Sequence, residues 1–304
     1  MSRPVATLFL LTCTILWGLA FIAQKSAMDS MGPLTFSGLR YIIGGLAVLP
    51  VALLFERGRS KRVEPLNAQH WWLIIGVSLV FFLGSALQQV GLIYTTVTNA
   101  GFLTGLYVFF VPFLGFVLFR TRPHAIIYVC VPMALLGIYF LNGGGLDSFN
   151  GGDGLMVIGA VFWALHVILL GLTARATGLP IFVSAISFLI AGCIGVALAF
   201  VFEQPNLADI QAGWMELVYT GILSTAVAFT FQAIGQQYVP PANAAIILSA
   251  ESLFAALGGA LILGERLPVI GYAGAALIFA AILAVEALPP LWERRRMHIP
   301  RNTN

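Results

Sequence analysis

The side chains best suited to recognise a small polar molecule stand singly within long apolar stretches of this 304-residue sequence. Glu251 offers a carboxylate that binds an ammonium group, carries a proton, or makes a structural salt bridge or hydrogen bond. Arg40 offers a guanidinium that pairs with a carboxylate, either from a substrate or from the protein. Gln88 and Gln232, 144 residues apart, are amides that either join helices or line polar vestibules. These residue types suit the binding of a charged solute.

Aromatic side chains accompany these polar groups at related positions. Trp17 and Trp163, 146 residues apart, are either bulky packing residues or two walls of a pocket that stack on a substrate. On a helix, Gln24 shares the face of Trp17, and His166 shares the face of Trp163. His166 is a donor to substrate, a proton acceptor or a partner in an interhelical hydrogen bond. The two tryptophans therefore mark matching places in two halves of the chain.

Sequence motifs of common active sites are missing. None of the four histidines belongs to a His-Glu-x-x-His motif, and neither Gly-x-Ser-x-Gly nor a P-loop occurs, so metalloprotease, serine hydrolase and ATPase chemistry lack their usual residues. We therefore expect that the chain is not an enzyme and that it binds neither a metal nor a cofactor.

Composition indicates a lipid environment. The chain is 60% hydrophobic and 9% charged, whereas a soluble domain carries roughly 25% charged residues. Because a bilayer core needs about 20 apolar residues per helix, we predict an all-α integral membrane protein with ten transmembrane helices. Basic residues fall at segment ends rather than on one face, which argues against a nucleic-acid partner. The predicted helices are 5–27, 33–55, 71–93, 99–119, 124–141, 152–173, 180–202, 213–236, 242–263 and 268–287.

The two halves of the sequence match each other. Gly91 and Asn99 recur 144 residues later as Gly235 and Asn243. Five helices per half is an odd number, so the second half must be inserted upside down relative to the first. We predict two inverted five-helix repeats, residues 5–141 and 152–287, followed by a basic tail over 288–304. A site on their pseudo-twofold axis lies at the middle of the bilayer.

Basic residues predict the orientation. Arg266 alone lies in a segment on the opposite side, while Lys25 and Arg40 lie within or at the edge of helices, where Lys25 is expected to snorkel. Because cytoplasmic loops carry an excess of Lys and Arg, we expect both termini inside and a multi-pass protein of the inner or plasma membrane. Twelve of the fifteen lysines and arginines lie on the predicted cytoplasmic side: Arg3, Arg57, Arg59, Lys61, Arg62, Arg120, Arg122, Arg175, Arg294, Arg295, Arg296 and Arg301.

Helix length places several candidates near the bilayer centre. Trp17 lies about 18 Å from the start of its helix, and Trp163 lies at nearly the same depth. Tyr107 and Glu251 are 144 residues apart, and each lies roughly 13 Å along its helix. Burying Glu251 costs at least about 2.5 kcal/mol, so it must face a cavity or a partner. We predict a substrate-binding cavity formed by Trp17, Gln24, Arg40, Gln88, Tyr107, Trp163, His166, Gln232 and Glu251.

Three stretches of the sequence resemble a known family. Residues 15–21 with Lys25 and Arg40, residues 99–112, and the run Gly264-Glu265-Arg266 resemble the EamA repeat of the ten-helix drug/metabolite transporter superfamily. The resemblance spans residues 5–287 and implies a small-molecule carrier, often an exporter of amino acids or metabolites. The aromatic-amino-acid exporter group is a closer resemblance within it.

The two halves also depart from this pattern. Residues 120–122 stand where the second half has the Gly-Glu signature, and Gly171 and Ser187 stand where the first half has Lys25 and Arg40. Lys25 and Arg40 are therefore expected to have no symmetric partners.

These features predict a secondary transporter that exports or facilitates movement of amino acids, aromatic or other neutral ones, by alternating access. A non-selective channel and an intramembrane enzyme are the alternatives. Expected partners are a small-molecule substrate and the lipid bilayer, with the chain a monomer or a weak homodimer.

Overall fold

The computed structural model describes residues 1–60, 66–141, 143–144, 150–266 and 268–297. In these residues the only regular structure is helical. The predicted positions of Lys61, Arg62 and Arg301 lie outside the described residues. We label the ten apolar helices α1 Arg3–Ala27, α2 Pro33–Ser60, α3 Ala68–Ile93, α4 Val97–Phe119, α5 Ile127–Leu141, α6 Gly151–Thr177, α7 Pro180–Phe202, α8 Trp214–Gly235, α9 Pro241–Ile262 and α10 Val269–Met297.

The ten helices correspond one to one with the ten predicted from hydropathy. Nine are long and apolar enough to cross a membrane, and α5, predicted to be the shortest, has 15 residues. Hydropathy succeeds here because a helix satisfies its own backbone hydrogen bonds, so a long apolar segment has few other conformations available in lipid. One short helix, Leu207–Ala212, precedes α8 and was not predicted. The chain is therefore a multi-pass membrane protein.

Helices α2 and α7 form a tight antiparallel pair. A Cβ atom on Gly195 would lie 2.8 Å from Gly38 Cα, and one on Gly192 would lie 2.8 Å from Ile42 N. Any side chain at these two positions would push the helices apart, so glycine is what allows their backbones to approach. Helices α3 and α6 also pack antiparallel, as do α5 and α10.

Each helix of the α2–α7 pair ends on a carboxylate that caps the start of the other. Glu56 accepts hydrogen bonds from Ile181 N at 3.0 Å and Phe182 N at 2.8 Å. Glu203 accepts from Leu34 N and Thr35 N, both at 2.7 Å. The first backbone N–H groups of a helix have no partner within it and carry a partial positive charge. The two glutamates therefore fix both ends of the pair.

Three of the predicted helices are irregular at their centres. Helix α4 consists of α4a, Val97–Gly105, and α4b, Tyr107–Phe119. Helix α9 consists of α9a, Pro241–Leu248, and α9b, Glu251–Ile262. Helix α8 contains a π-helical segment, Thr220–Phe229. Tight turns and π-helical segments inside helices are frequent at functional sites, and all three irregularities lie beside the cavity described next.

Candidate functional site

A cavity of about 40 Å³ lies among α1, α2, α3, α4, α6, α8 and α9. Eight of the nine predicted substrate-binding residues line it, although their contact with a substrate remains a prediction. The structure thus gathers residues that are far apart in the sequence into one place. The cavity is lined by Trp17, Phe21, Gln24, Arg40, Gln88, Thr104, Tyr107, Trp163, Val167, Ser224, Phe229, Gln232, Leu248 and Glu251.

His166 is the ninth predicted residue, and it is not among the lining residues. Its ring lies 5.2 Å from the ring of Phe81, 5.6 Å from Trp163 and 5.9 Å from Phe229, measured between centroids. Its Nδ1 atom is buried without a hydrogen-bond partner among the described residues. The histidine therefore packs behind the aromatic wall in this conformation, and Nδ1 lacks the interhelical hydrogen bond considered from the sequence.

Four lining residues contribute a buried polar atom that has no hydrogen-bond partner among the described residues. Most buried polar atoms in proteins are paired, and leaving one unpaired costs about 1–3 kcal/mol. A concentration of such atoms around one cavity indicates that a polar ligand or water supplies the missing partners. The atoms are Gln24 Oε1, Arg40 Nε, Thr104 Oγ1 and Gln232 Oε1.

Arg40 is a buried cation that pairs with hydroxyl groups and aromatic rings. It is 4% exposed. One terminal nitrogen donates to Tyr41 Oη at 2.7 Å and to Ser85 Oγ at 3.2 Å. Its guanidinium carbon lies 4.7 Å from the ring centroid of Tyr41, within the range of a cation–π contact. Among the described residues the one ion pair joins Arg3 to Glu286, so Arg40 has no carboxylate from the described chain.

Glu251 occupies the first position of α9b, and Tyr107 occupies the first position of α4b. Both side chains are 4% exposed. The two side chains lie within hydrogen-bonding reach of each other. The two repeat-equivalent positions thus present an acid and a phenol to one cavity.

The tryptophans form aromatic walls with Phe229, which the sequence interpretation missed. Trp163 and Phe229 stack with ring centroids 5.7 Å apart and an interplanar angle of 14°, and Trp17 lies 4.5 Å from the same ring. Trp17 Nε1 donates to Ser224 O at 3.0 Å, whereas Trp163 Nε1 donates to Gln88 Oε1 at 2.6 Å. No sequence signal distinguishes Phe229 from the other 22 phenylalanines of the chain.

Lys25 binds the end of another helix. Its Nζ donates to the carbonyl oxygens of Leu92 at 2.8 Å, Ile93 at 2.9 Å and Thr95 at 3.0 Å. These carbonyls lie at the C-terminus of α3, where they lack partners in the helix and attract a cation. Lys25 therefore ties the end of α1 to the end of α3.

Arg175 makes the corresponding contact in the second half. Its guanidinium donates to Gln236 O at 3.0 Å, which is the C-cap residue of α8. Arg175 stands four residues after Gly171, the sequence position equivalent to Lys25. The position equivalent to Lys25 thus has no basic residue, and a similar contact is made by Arg175 about one helical turn further along.

Comparisons with known proteins agree with this architecture. Residues 5–143 and 150–286 each match the EamA-like transporter family. An uncharacterized transporter from Archaeoglobus fulgidus is 32% identical over 94% of this chain and 87% of its own length. The uncharacterized inner membrane transporter YedA of Escherichia coli K12 is 24% identical over 89% of this chain and 87% of its own.

A solved crystal structure has the same fold. It superposes on 98% of this chain and 100% of its own, with a TM-score of 0.75 and 20% sequence identity. The family and the relatives are transporters, which supports a small-molecule transport role and fits the expectation of a non-enzyme. The chain therefore belongs to the EamA-like transporter family, within the drug/metabolite transporter superfamily.

Proposed function

We propose that the protein transports neutral amino acids, aromatic ones among them, by alternating access around the central cavity. The observation that carries this proposal is the charge pattern of the lining. Among the described lining residues, Arg40 is the one lysine or arginine and Glu251 is the one carboxylic acid. A cavity with one group of each sign matches a zwitterion better than it matches an anion, a cation or an uncharged solute.

Each part of an amino acid has a candidate partner in the cavity. The guanidinium of Arg40 suits the substrate carboxylate, because Arg and carboxylate form charge-assisted hydrogen bonds. The carboxyl group of Glu251, which lines the cavity, suits the ammonium group. The rings of Trp17, Trp163 and Phe229 suit an apolar or aromatic side chain. Recognition of all three parts would make amino acids the preferred substrates.

Alternating access requires two halves that rock around one site, and we infer that the halves are inverted repeats. The reciprocal caps by Glu56 and Glu203 support this inference, since an exchange of the two repeats turns each cap into the other. The central interruptions support it as well. Leu106 separates α4a from α4b, and Ala250, 144 residues later, lies in the turn between α9a and α9b.

Counterflow into liposomes tests the substrate class. External phenylalanine or leucine should exchange for internal labelled substrate, and the exchange should saturate. The matched amine, which lacks the carboxylate, and the matched keto acid, which lacks the ammonium group, should compete at least about tenfold less well, because each loses a charge-assisted contact. Equal competition by the amine or the keto acid would contradict zwitterion recognition, and unsaturable flux would indicate a channel.

Labelling of cysteines in intact cells tests the proposed orientation. With both termini in the cytoplasm, a cysteine in the 56–69 segment should be protected from an impermeant reagent. One in the 142–152 segment should be labelled. Labelling of the 56–69 segment from outside would show that the topology is opposite to the proposed one. The description of the fold would not change.

A further inference from the structure

The arginine-rich end of the molecule contains a second cavity, which we name the basic cavity. It has a volume of about 200 Å³ and lies between the end of α4, α6 and the loop between α8 and α9. Arg122 and Arg175 line it together with Thr121, Pro240 and Pro241, and none of its described lining residues is acidic. Two cations therefore face one space that contains no lining carboxylate.

A groove on the outer face of the helices adjoins the basic cavity. We name it the apolar groove. It has a volume of about 460 Å³ between α4b and α5. Its lining includes Phe109, Phe113, Phe116, Tyr128, Val131 and Leu135. Pro112 and Pro123 line both spaces. A single molecule can therefore lie in both, with a charged part on the arginines and an apolar part along α4b and α5.

The opposite end of the molecule is built differently at the equivalent place. There Glu265 accepts hydrogen bonds from Val97 N at 3.2 Å and Thr98 N at 3.1 Å, and so caps the start of α4. The residue 144 positions earlier is Thr121, whose hydroxyl donates to Gly115 O of its own helix. The capping acid Glu265 at one end of the molecule thus corresponds to Thr121 at the arginine-rich end. There, Thr121 and Arg122 border the basic cavity.

We propose that this end binds an anionic phospholipid, with its phosphate in the basic cavity and an acyl chain in the apolar groove. A phosphate supplies the negative charge that the lining lacks, and arginine binds phosphate oxygens through paired N–H donors. Basic pockets at membrane depth are suited to anionic head groups. The acyl chain distinguishes a lipid from free phosphate, because the groove offers an apolar surface that only a chain covers.

The lipid would act on the transport machinery through Arg175. That guanidinium also holds Gln236 O, so a phosphate bound to it would fix the loop between α8 and α9. The inference concerns a site separate from the central cavity, and it holds whichever solute the protein carries.

Lipid binding to the purified full-length chain in detergent tests the proposal, with native mass spectrometry and thermal unfolding as the measurements. Phosphatidylglycerol should remain bound and raise the melting temperature more than phosphatidylcholine of the same chains. Inorganic phosphate and glycerol phosphate, which lack acyl chains, should do neither at matched concentration. The proposal would be overturned if the unmodified protein retained phosphatidylglycerol and phosphatidylcholine equally. It would also be overturned if inorganic phosphate alone raised the melting temperature as much as phosphatidylglycerol.

Two pairs of variants locate the site. Arg122→Gln should weaken phosphatidylglycerol binding about fivefold, corresponding to about 1 kcal/mol, whereas Arg266→Gln at the other end should leave it unchanged. Leu135→Trp should fill the groove and lower lipid retention, whereas Leu136→Trp, outside the groove, should not. Equal effects within either pair would place the lipid elsewhere. Lipid loss that accompanies dimer formation would show instead that a second copy covers the groove.

Discussion

Trp17 and Trp163 occupy equivalent positions in the two halves but are held in different ways. The indole of Trp163 donates to the side chain of Gln88, whereas the indole of Trp17 donates to the backbone of Ser224. Ser224 lies in the π-helical segment of α8, and the equivalent helix α3 is regular. The same residue type has therefore been kept in both halves while its hydrogen-bond partner has changed.

This difference between the tryptophans has a consequence for Gln88 and Gln232. Gln88 Oε1 is occupied by Trp163, whereas Gln232 Oε1 is buried without a partner among the described residues and lines the cavity. One amide positions an aromatic wall, and the other is available to a ligand. Tyr107 and Glu251 also differ between the halves, because a neutral phenol and an acid occupy equivalent positions. The two sequence repeats thus contribute different groups to one cavity, as recognition of the proposed zwitterion would require.

The largest effect is expected from Glu251 compared with Tyr107. Glu251→Gln keeps the size of the side chain and removes its charge, so substrate affinity should fall about 10- to 100-fold, as for loss of a charged hydrogen bond. Tyr107→Phe should lower it only about two- to tenfold. Saturation binding of a neutral amino acid to both purified variants measures the difference.

Two other outcomes would change the role of Glu251. If it carries a proton, counterflow should survive in Glu251→Gln while the response to a pH gradient disappears. If binding and pH response are both unchanged, the carboxylate is structural.

The tryptophans should give the next largest effect. Trp17→Ala and Trp163→Ala each remove an aromatic wall, so transport should fall about two- to tenfold through lost stacking. The amount of folded protein in the membrane, followed by size-exclusion chromatography, should change little because both rings border a cavity. Normal transport by both variants would identify the tryptophans as packing residues.

Substitutions of Gln88 and Gln232 should distinguish a residue that positions Trp163 from a residue that binds substrate. Gln232→Ala should weaken substrate binding by about fivefold, since one hydrogen bond contributes about 1 kcal/mol. Gln88→Ala should act through Trp163, so its effect should largely vanish in a Trp163→Phe background, where the indole donor is already gone. A double-mutant cycle measures this coupling. If the effects of the Gln88 and Trp163 substitutions were additive, Gln88 would not act by positioning Trp163.

The smallest effect is expected at the two ends of the molecule. Lys25 ties α1 to the end of α3, and Arg175 ties α6 to the end of α8. A cation at a helix C-terminus contributes about 0.3–1 kcal/mol, so Lys25→Gln and Arg175→Gln should each shift the conformational equilibrium up to about fivefold. Labelling of a cysteine at Thr104 from one side should rise in one variant and fall in the other. If labelling changed in the same direction in both variants, the contacts of Lys25 and Arg175 would not stabilise opposite conformations.

The sequence predicted the ten helices and eight of the cavity-lining residues because both depend on depth and hydropathy. A polar residue such as Gln24 or Glu251 in an apolar segment has few favourable places besides a cavity. The central turn at Leu106, the π-helical segment and the partners of Lys25 depend on how helices distant in sequence approach one another. No local pattern encodes such contacts, and for the same reason His166 was assigned to the cavity rather than behind its wall.

The reciprocal caps of α2 and α7 restrict how the protein can move. Glu56 and Glu203 anchor the pair at both ends, and the glycine contacts between them leave little clearance. Sliding one helix along the other would break both caps together and separate two closely fitted backbones. Under the proposed alternating access, we expect this pair to move as one rigid unit while the other helices change position around it.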